Sequence, residues 1–436
     1  MAADCAAYDF NNRYLLTATL RRDGSSKFGA NNKWAMFPSV SLAWRISEEK
    51  FMEEQSVFQD LKLRIGYGQS GNQNIDPYTS QRLYGPQSSQ FMYNGEWINS
   101  YGVSQNPNPD LKWETTAMTN IGLDYTIWEG RVSGTLDFYN KETKDMLYKY
   151  NVPSPPYQYN QLLANGASMT NRGVEFMVNV VAVDRPDFSW TTNFNVAYNK
   201  NEIGSLDSNV DNLSISERYE GTMYLEGWTA QTVSIVKPGL PIGTFYTYKY
   251  MGYDAKQQKT LYENAAGEIV TIDKLKSPDD YQVVGSALPK VTFGWNNTFR
   301  YKRWDLNFFL RGVNGNKIFN ASRADLSRLT QAAICNISHE AVEDGIMEAP
   351  QPSSRWLENG SFLKLDNVTL GYQFDTEKMP GINNLRVYIT GQNLFTITKY
   401  TGIDPEVSLS GLAPGIDNRN YYPKTRSFLL GVNISF

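Results

Sequence analysis

Hydrophobic and polar residues alternate along many stretches of this chain. In the final stretch, every second residue from Phe428 to Phe436 is apolar, while Gly431 and Asn433 lie between them. The stretch 290–302 alternates in the same way. Because successive side chains of a β-strand point to opposite faces, this period of two predicts strands with one apolar and one polar face.

The alternation predicts twelve strands, many of them ten residues or longer. Strands of soluble proteins typically have about five or six residues, whereas a tilted strand that crosses a membrane needs about 9–11. We therefore expect an all-β fold, an antiparallel transmembrane β-barrel. The predicted strands span 13–22, 36–46, 61–69, 116–128, 131–146, 168–182, 188–199, 290–302, 304–313, 362–374, 385–395 and 426–436.

Short and long connections alternate between these strands. Glu129–Gly130 and Arg303 are two of the short ones, and 70–115 and 200–289 are among the long ones. Outer-membrane barrels have short periplasmic turns and longer extracellular loops, so we place the short side at the periplasm. The parity of the strands then requires that 200–289 holds either no barrel strand or a pair, of which the block Thr244 to Tyr253 could be part.

Four tryptophans fall at the short-turn ends of their predicted strands. Indole rings favour the headgroup level of a membrane, and a soluble sandwich has no reason to collect them at one rim. We expect these residues, called the girdle tryptophans below, to mark a membrane interface; the alternative is that they cap the end of a soluble core. They are Trp44, Trp128, Trp190 and Trp304.

The composition narrows the classes of function. Aromatic residues make up 14% of the chain, as suits a protein anchored at two membrane interfaces. The formal net charge of -4 gives no basic bias toward nucleic acid. Cys5 and Cys335 have no disulfide or metal spacing, and His339 is the single histidine. We therefore expect no cofactor, no metal site and no nucleic-acid partner.

Blocks of residues spread from Asn12 to the end of the chain carry a family resemblance. They run Asn12 to Gly29, Phe37 to Arg45, Leu63 to Gln73, Asn108 to Glu114, Asn171 to Glu175, Glu358 to Leu365, Gly391 to Phe395 and Tyr400 to Glu406. In content and in order these blocks resemble the SusC/RagA-type TonB-dependent outer-membrane transporters. The resemblance identifies the cell outer membrane, and its lipid, as the expected surroundings of the chain.

The resemblance implies a barrel of roughly 22 strands whose lumen is closed by a plug. It also implies import of a large nutrient, a glycan (oligosaccharide) or a peptide, beneath a SusD-like surface lipoprotein, with TonB pulling on the plug. The predicted strands are about 12–14 of that number. We therefore expect residues 1–436 to be the C-terminal portion of the barrel, with no plug and no N-terminal domains, and we expect Met1 to Ala7 not to continue the strand pattern.

The last strand resembles the terminal signal that the barrel-assembly machinery reads in outer-membrane proteins. The alternative is that its terminal aromatic residue only packs at a sheet edge. The residues of this expected signal are Phe428, Leu430, Val432, Ile434 and Phe436.

Aromatic residues of the long loops are candidate ligand contacts, because an aromatic face suits the apolar surface of a sugar ring. The alternatives are packing within the loops and contact with the lipoprotein lid. The candidates are Tyr93, Trp97, Tyr157, Tyr159, Tyr224 and Trp228. Polar residues of the strands could also touch substrate, although such residues more often solvate the lumen or pair with the plug; they are Arg64, Asp124, Asp137, Asn193, Asn195, Arg300 and Arg311.

Two other classes of protein compete with a transporter. One is a structural or porin-like barrel without TonB coupling, and the other is a soluble secreted all-β domain that binds or hydrolyses carbohydrate. The carboxylate pairs at Glu48–Glu49, Glu53–Glu54 and Asp279–Asp280 lie in connections, where solvated charge explains them better than hydrolysis. We therefore do not expect an enzyme.

Overall fold

The computed structural model describes residues 2–208, 210, 215–223, 231–419 and 422–436. Strands dominate these residues, as the alternation predicts. In chain order the first thirteen are β1 (Ala2–Phe10), β2 (Tyr14–Gly24), β3 (Trp34–Arg45), β4 (Phe58–Asn72), β5 (Leu83–Tyr93), β6 (Glu96–Gln105), β7 (Glu114–Ile127), β8 (Val132–Lys144), β9 (Met146–Asn151), β10 (Gln161–Arg185), β11 (Phe188–Ser208), β12 (Arg218–Glu220) and β13 (Ser234–Val236). The others are β14 (Thr244–Thr247), β15 (Lys249–Asp254), β16 (Lys259–Glu263), β17 (Ile269–Thr271), β18 (Gln282–Ser286), β19 (Val291–Tyr301), β20 (Trp304–Asn314), β21 (Lys317–Asn320), β22 (Leu357–Asn359), β23 (Phe362–Gln373), β24 (Asn384–Thr398), β25 (Ile416–Asp417) and β26 (Ser427–Ser435).

Helical segments are few and short. Within the described residues, none is long and apolar enough to cross a membrane. They are α1 (Ala321–Leu326), α2 (His339–Asp344) and 3₁₀ turns at Ile46–Glu48, Lys50–Met52, Ile272–Lys274, Leu329–Gln331 and Ser354–Trp356.

Fourteen strands form one antiparallel sheet, which confirms the predicted fold class. Its order is β1-β2-β3-β4-β7-β8-β10-β11-β19-β20-β23-β24-β26, and β9 pairs with the upper part of β10. All twelve strands predicted from the alternation lie in this sheet. Its edges are β1 and β26, which do not pair with each other in the described part of the chain.

The start of the chain departs from our expectation. Residues Ala2–Phe10 form β1 and pair with β2 along the whole strand, from Phe10 opposite Tyr14 to Ala2 opposite Arg22. Asn11 and Asn12 have φ of 54° and 55°, the left-handed geometry that matches the twist of a tight hairpin. The exposed main chain of β2 provides the hydrogen-bond partners, so a strand forms here although its side chains do not alternate cleanly.

The pair β10 and β11 is longer than predicted. These strands have 25 and 21 residues and extend past the predicted limits of 168–182 and 188–199. The stretch beyond β11 adds no strand to the barrel sheet: within the described residues, 209–289 forms two small separate sheets, β12-β13-β14-β18 and β15-β16-β17. The block Thr244 to Tyr253 is therefore a loop structure and not part of a barrel pair.

The register of the ladders fixes two faces of the sheet. Neighbouring residues Thr292 and Phe293 pair with different partners on regular strands and lie on opposite faces. Ile65, Ile121 and Phe138 form one row across three strands, and each is 46–49% exposed. Exposed apolar rows of this extent mark a surface that meets lipid. We call the face with these rows the lipid face and the opposite one the lumen face.

The girdle tryptophans all lie beside short connections. Trp44 is next to the end of β3, and Trp128 follows the last residue of β7. Trp190 is near the start of β11, and Trp304 begins β20. Two of the indoles donate hydrogen bonds at this rim, Trp44 to Glu49 at 3.0 Å and Trp190 to Asn297 at 3.1 Å. Their common depth in a membrane stays a prediction.

Candidate functional site

In their described residues, the long connections fold into a layer with buried clusters of its own. In one cluster, Phe28 and Leu111 are fully buried and pack with Phe37 and Trp113. The ring centroid of Trp113 lies 4.9 Å from that of Phe28 and 5.7 Å from that of Phe37. These residues belong to three separate family blocks. The blocks therefore meet in space and anchor the loops at the rim of the sheet.

Two glycines allow this close packing. A Cβ atom at Gly29 would lie 1.8 Å from the carbonyl oxygen of Pro109. At Gly71 it would lie 2.1 Å from the ring of Phe37. Real Cβ atoms do not approach other atoms so closely, so only glycine fits at either position without displacement of its neighbours.

A charged cluster ties the last long loop to the lumen face. The carboxylate of Glu406 accepts a hydrogen bond from Lys364 at 2.6 Å and is also paired with Arg311 and Lys424. The side chain of Lys364 is only 1% exposed. The backbone N–H of Glu406 donates to the Asp404 side chain at 2.9 Å and closes a turn around Pro405.

The electrostatics of Glu406 follow from these contacts. Burial alone would raise the pKa of its carboxyl, but hydrogen bonds from Arg311, Lys364 and Lys424 outweigh burial and lower the pKa to about 2. In the family block 400–406, the sequence Asp404-Pro405-Glu406 favours a structural role and indicates no ligand. In the structure it is an anchor that holds the final loop against β20 and β23.

A second polar network joins the same two family blocks, Glu358 to Leu365 and Tyr400 to Glu406. Glu358 accepts hydrogen bonds from the backbone N–H of Thr401 at 2.7 Å and from the side-chain amide of Asn320 at 3.0 Å. The Tyr400 hydroxyl donates to Asp417 on β25. Burial raises the pKa of Asp417, although the hydrogen bond from Tyr400 opposes that shift. The network links the two loops that precede β23 and β26.

The candidate sugar-stacking residues do not form one site. Tyr93 and Trp97 are 60% and 65% exposed on the hairpin of β5 and β6. Tyr93 pairs with Glu96 and Met92 pairs with Trp97, so the two aromatic rings lie on opposite faces of the hairpin. The Asn94-Gly95 pair, with φ of 51° and 81°, is the sequence signal of a tight hairpin turn. Because such a turn fixes the strand pairing, the opposite faces of Tyr93 and Trp97 could be deduced from it.

The other candidates lie elsewhere in the loop layer. Tyr157 is half-buried and packs against the cluster that includes Tyr150. Tyr159 is 37% exposed, and its backbone N–H donates to the side chain of Asn106 at 3.1 Å. Tyr224 and Trp228 lie outside the described residues. Sugar stacking by these residues stays a prediction.

Charged residues on the lumen face pair with one another. Arg64 donates to Asp124 at 2.7 Å and to Asp137 at 3.1 Å, and Lys62 lies 2.8 Å from Asp124. Gly122 lies on β7 between Arg64 of β4 and Asp137 of β8, where a Cβ would meet the Asp137 carboxylate at 2.4 Å. These ion pairs favour a structural role in the barrel wall over contact with substrate.

A cavity that the alternation does not predict, although the candidate Arg311 lines it, opens on the lumen face below the last loop. Its volume is about 570 Å³. Charged and amide groups dominate its lining, which includes Arg311, Asp366, Asn367, Gln392 and Lys424. Register shifts in β23, between Leu365 and Asn367, interrupt the regular ladder here, and regular alternation cannot reveal a site of this kind.

Four residues of the expected assembly signal lie on the lipid face of the edge strand β26, and the fifth, Phe436, follows the last residue of that strand. Leu430 pairs with Ile389 and Val432 with Val387 across the ladder to β24. Phe428 and Phe436 are 73% and 83% exposed. Recognition of this strand by the assembly machinery stays a prediction.

Comparison with known proteins defines the class of protein first. Residues 6–394 match the family described as "TonB dependent receptor-like, beta-barrel". The chain therefore belongs to the TonB-dependent receptor family, which is a family of receptors and transporters and not of enzymes.

Individual relatives define the branch within that class. The TonB-dependent receptor SusC of Bacteroides thetaiotaomicron is 35% identical over 98% of this chain and 43% of its own length. TonB-dependent receptor P26 of Formosa agariphila is 32% identical over 98% of this chain and 45% of its own length. A solved structure of the RagAB peptide transporter has a TM-score of 0.83 at 27% identity, and the match covers 100% of this chain and 47% of that one. The chain is of the SusC/RagA type predicted from its sequence blocks, in the cell outer membrane, and it spans less than half the length of these relatives.

Proposed function

We propose that this chain forms the C-terminal part of the barrel of a TonB-dependent importer that takes up a large nutrient, a glycan (oligosaccharide) or a peptide. The observation that carries the proposal is the fit of the whole sheet and loop layer to the RagAB peptide transporter, at a TM-score of 0.83. Ligand would bind at the long-loop end, and TonB would act through a plug that this segment does not include.

The loop layer supports this proposal. A passive pore needs an open lumen, whereas here the long connections form buried clusters and ion pairs above the lumen face. The cavity of about 570 Å³ below the last loop offers charged and amide groups to a polar ligand. Such groups suit the hydroxyls of a glycan and the backbone of a peptide equally well.

A knockout of the gene at its own locus tests the import function, because the whole encoded protein is then removed. Growth should fail on glycans or on peptides as the limiting nutrient, and uptake of that labelled nutrient by wild-type cells should stop when a protonophore is added. Restoring the gene should restore growth. Uptake that persists with the protonophore would instead favour the porin-like barrel.

We further propose that the β5–β6 hairpin contacts a SusD-like surface lipoprotein. The hairpin exposes Phe91 and Tyr93 on one face and Met92 and Trp97 on the other, each at least half exposed. Large exposed apolar side chains on both faces of a hairpin at the long-loop end fit a protein partner better than a single stacked sugar.

Site-specific crosslinking in cells tests this contact. A photo-crosslinking amino acid at Trp97 should capture the lipoprotein, whereas the same group at Glu377, in the connection between β23 and β24 on the short-turn side, should not. Equal capture from both positions, or none from Trp97, would contradict the proposal.

A further inference from the structure

A row of polar side chains crosses the lipid face near the long-loop end of the sheet. Asn140, Arg172 and Lys200 pair across β8, β10 and β11 and therefore share one face. The next row toward the short turns is apolar and consists of Phe138, Val174 and Tyr198.

The apolar row forms a groove that is open to the membrane. Phe138 and Tyr198 are 49% and 48% exposed. Together with the polar row they line a cavity of about 610 Å³. A groove of this volume has room for an acyl chain.

The polar row lies about the height of one apolar band from the short-turn rim. Trp190, one of the girdle tryptophans, and Lys200 are both on β11 and ten residues apart. At about 3.3 Å per residue the distance along the strand is about 33 Å. A strand tilt of about 40° reduces this to about 25 Å, the height of the apolar band of an outer-membrane barrel.

The charge of the row is set mainly by Arg172. Lys200 is paired with Glu202 at 2.9 Å, and Lys144 with Glu142 at 3.2 Å. Arg172 donates from Nε to the side-chain oxygen of Asn140 at 2.9 Å and has no ion pair among the described residues. Neither of its two terminal nitrogens donates a hydrogen bond to a described group, so both can donate to an anion.

The acidic residues limit where that anion can lie. Glu142 and Glu202 form the next row outward, with Thr170 between them. An anion above that row would be repelled, so the favourable position is level with Arg172, directly above the apolar groove. A lipid whose phosphate lies at this position would have its acyl chains in the groove below.

We propose that this surface binds a phosphorylated lipid of the outer leaflet. Its phosphate would accept hydrogen bonds from Arg172, with Lys200 nearby, and its acyl chains would lie over Phe138, Val174 and Tyr198. Guanidinium groups bind phosphate in a planar two-point geometry, and aromatic residues at the boundary suit the first carbons of the chains.

Native mass spectrometry of the whole protein, purified from outer membranes in dodecyl maltoside, tests the site. The probes are monophosphoryl lipid A, the same lipid after removal of its phosphate, and inorganic phosphate. We expect the phosphorylated lipid to bind about fivefold more tightly than the dephosphorylated one, the effect of one basic residue at a lipid surface. Arg172→Gln should abolish that difference.

Controls separate this site from general effects. Arg131→Gln removes the same charge from an exposed arginine at the short-turn end and should leave binding unchanged. Tyr198→Ser should weaken the binding of both lipids, because it removes part of the groove. Heat-modifiable gel mobility shows whether each variant is folded.

Three results would overturn the proposal. These are equal binding of the two lipids by the unaltered protein, unchanged selectivity in folded Arg172→Gln, and displacement of the lipid by millimolar inorganic phosphate. The last would show that the site takes free phosphate and not a lipid.

Discussion

Replacing Glu406 by glutamine removes the negative charge at the centre of the loop anchor. Lys364 would then keep only Asp404, at 3.7 Å, as a carboxylate partner in the described cluster. The side chain of Lys364 is 1% exposed, so its ammonium group would lose its closest counter-charge while remaining out of water. Removing one partner of a buried ion pair costs about 3–5 kcal/mol.

The pKa of Glu406 gives a second estimate of the same quantity. A fall from 4.5 to about 2 corresponds to about 3 kcal/mol in favour of the charged carboxyl in the folded protein. The two estimates agree. A loss of about 3 kcal/mol raises the population of the undocked loop by about a hundredfold.

Hydrogen exchange measures this population directly, because amides exchange from the open state. Peptides covering 399–419 should exchange about a hundredfold faster in Glu406→Gln, and peptides from β8 and β10 should be unchanged. Glu377→Gln, at an exposed carboxylate on the short-turn side, is the matched control. Adding Lys364→Met should recover part of the loss. Equal exchange in the two glutamine variants would refute the anchor.

Four further predictions follow from the loops, the girdle, the loop anchor and the sheet edges. Gly29→Ala should loosen the loop 25–33 at a cost of about 1–3 kcal/mol, measured by proteolysis, because its Cβ would overlap Pro109. The girdle tryptophans should all be quenched most strongly by lipids brominated near the headgroup of the periplasmic leaflet. The loop anchor should hold at pH 5 and weaken as the pH falls from 4.5 toward 2, measured with a fluorophore at Ser410. Residues 1–436 expressed alone should not support uptake.

Each of these tests has its own contrary result. Gly66→Ala is the matched control for Gly29→Ala, since a Cβ at Gly66 meets nothing within 4 Å. Equal proteolysis of the two variants would contradict the packing argument. Strongest quenching at different depths for the four tryptophans would contradict their expected position at one membrane interface. A carboxyl whose pKa is lowered on folding stabilises the docked loop at pH values above its unfolded pKa of 4.5, and this stabilisation is lost as the pH falls below that value. Release of the loop at pH 6 would therefore contradict the prediction.

The strands of the sheet could be predicted from sequence because their pattern is local. A strand with one face toward lipid and one toward the lumen alternates residue by residue, and all twelve predicted strands are present. β1 could not be predicted, because its pairing with β2 depends on backbone hydrogen bonds and not on alternation. The extra length of β10 had a similar cause, since β9 and the loop cluster around Tyr150 extend it.

The roles of the family blocks could not be read from the sequence, because each role needs a partner far along the chain. Glu358 and Thr401 are separated by 43 residues, and Glu406 and Arg311 by 95. Taken alone, none of these stretches indicates its distant partner. Only the fold shows that these residues hold loops to the barrel, and that Arg311 and Lys424 of the anchor also line the cavity below the last loop.

The open edges of the sheet explain why residues 1–436 alone should not transport. β1 and β26 each have nine residues, and about half of the backbone donors and acceptors of each strand face away from its single neighbour. In lipid each such group costs several kcal/mol, which in total exceeds the 5–15 kcal/mol that stabilises a typical folded protein. Expressed with an added signal peptide, the segment should aggregate, be degraded or close into a smaller barrel, and in none of these forms can TonB act through a plug. Uptake by cells that carry only this segment should equal that of the knockout, while the gene at its own locus restores it; TonB-dependent uptake by the segment alone would refute the reasoning.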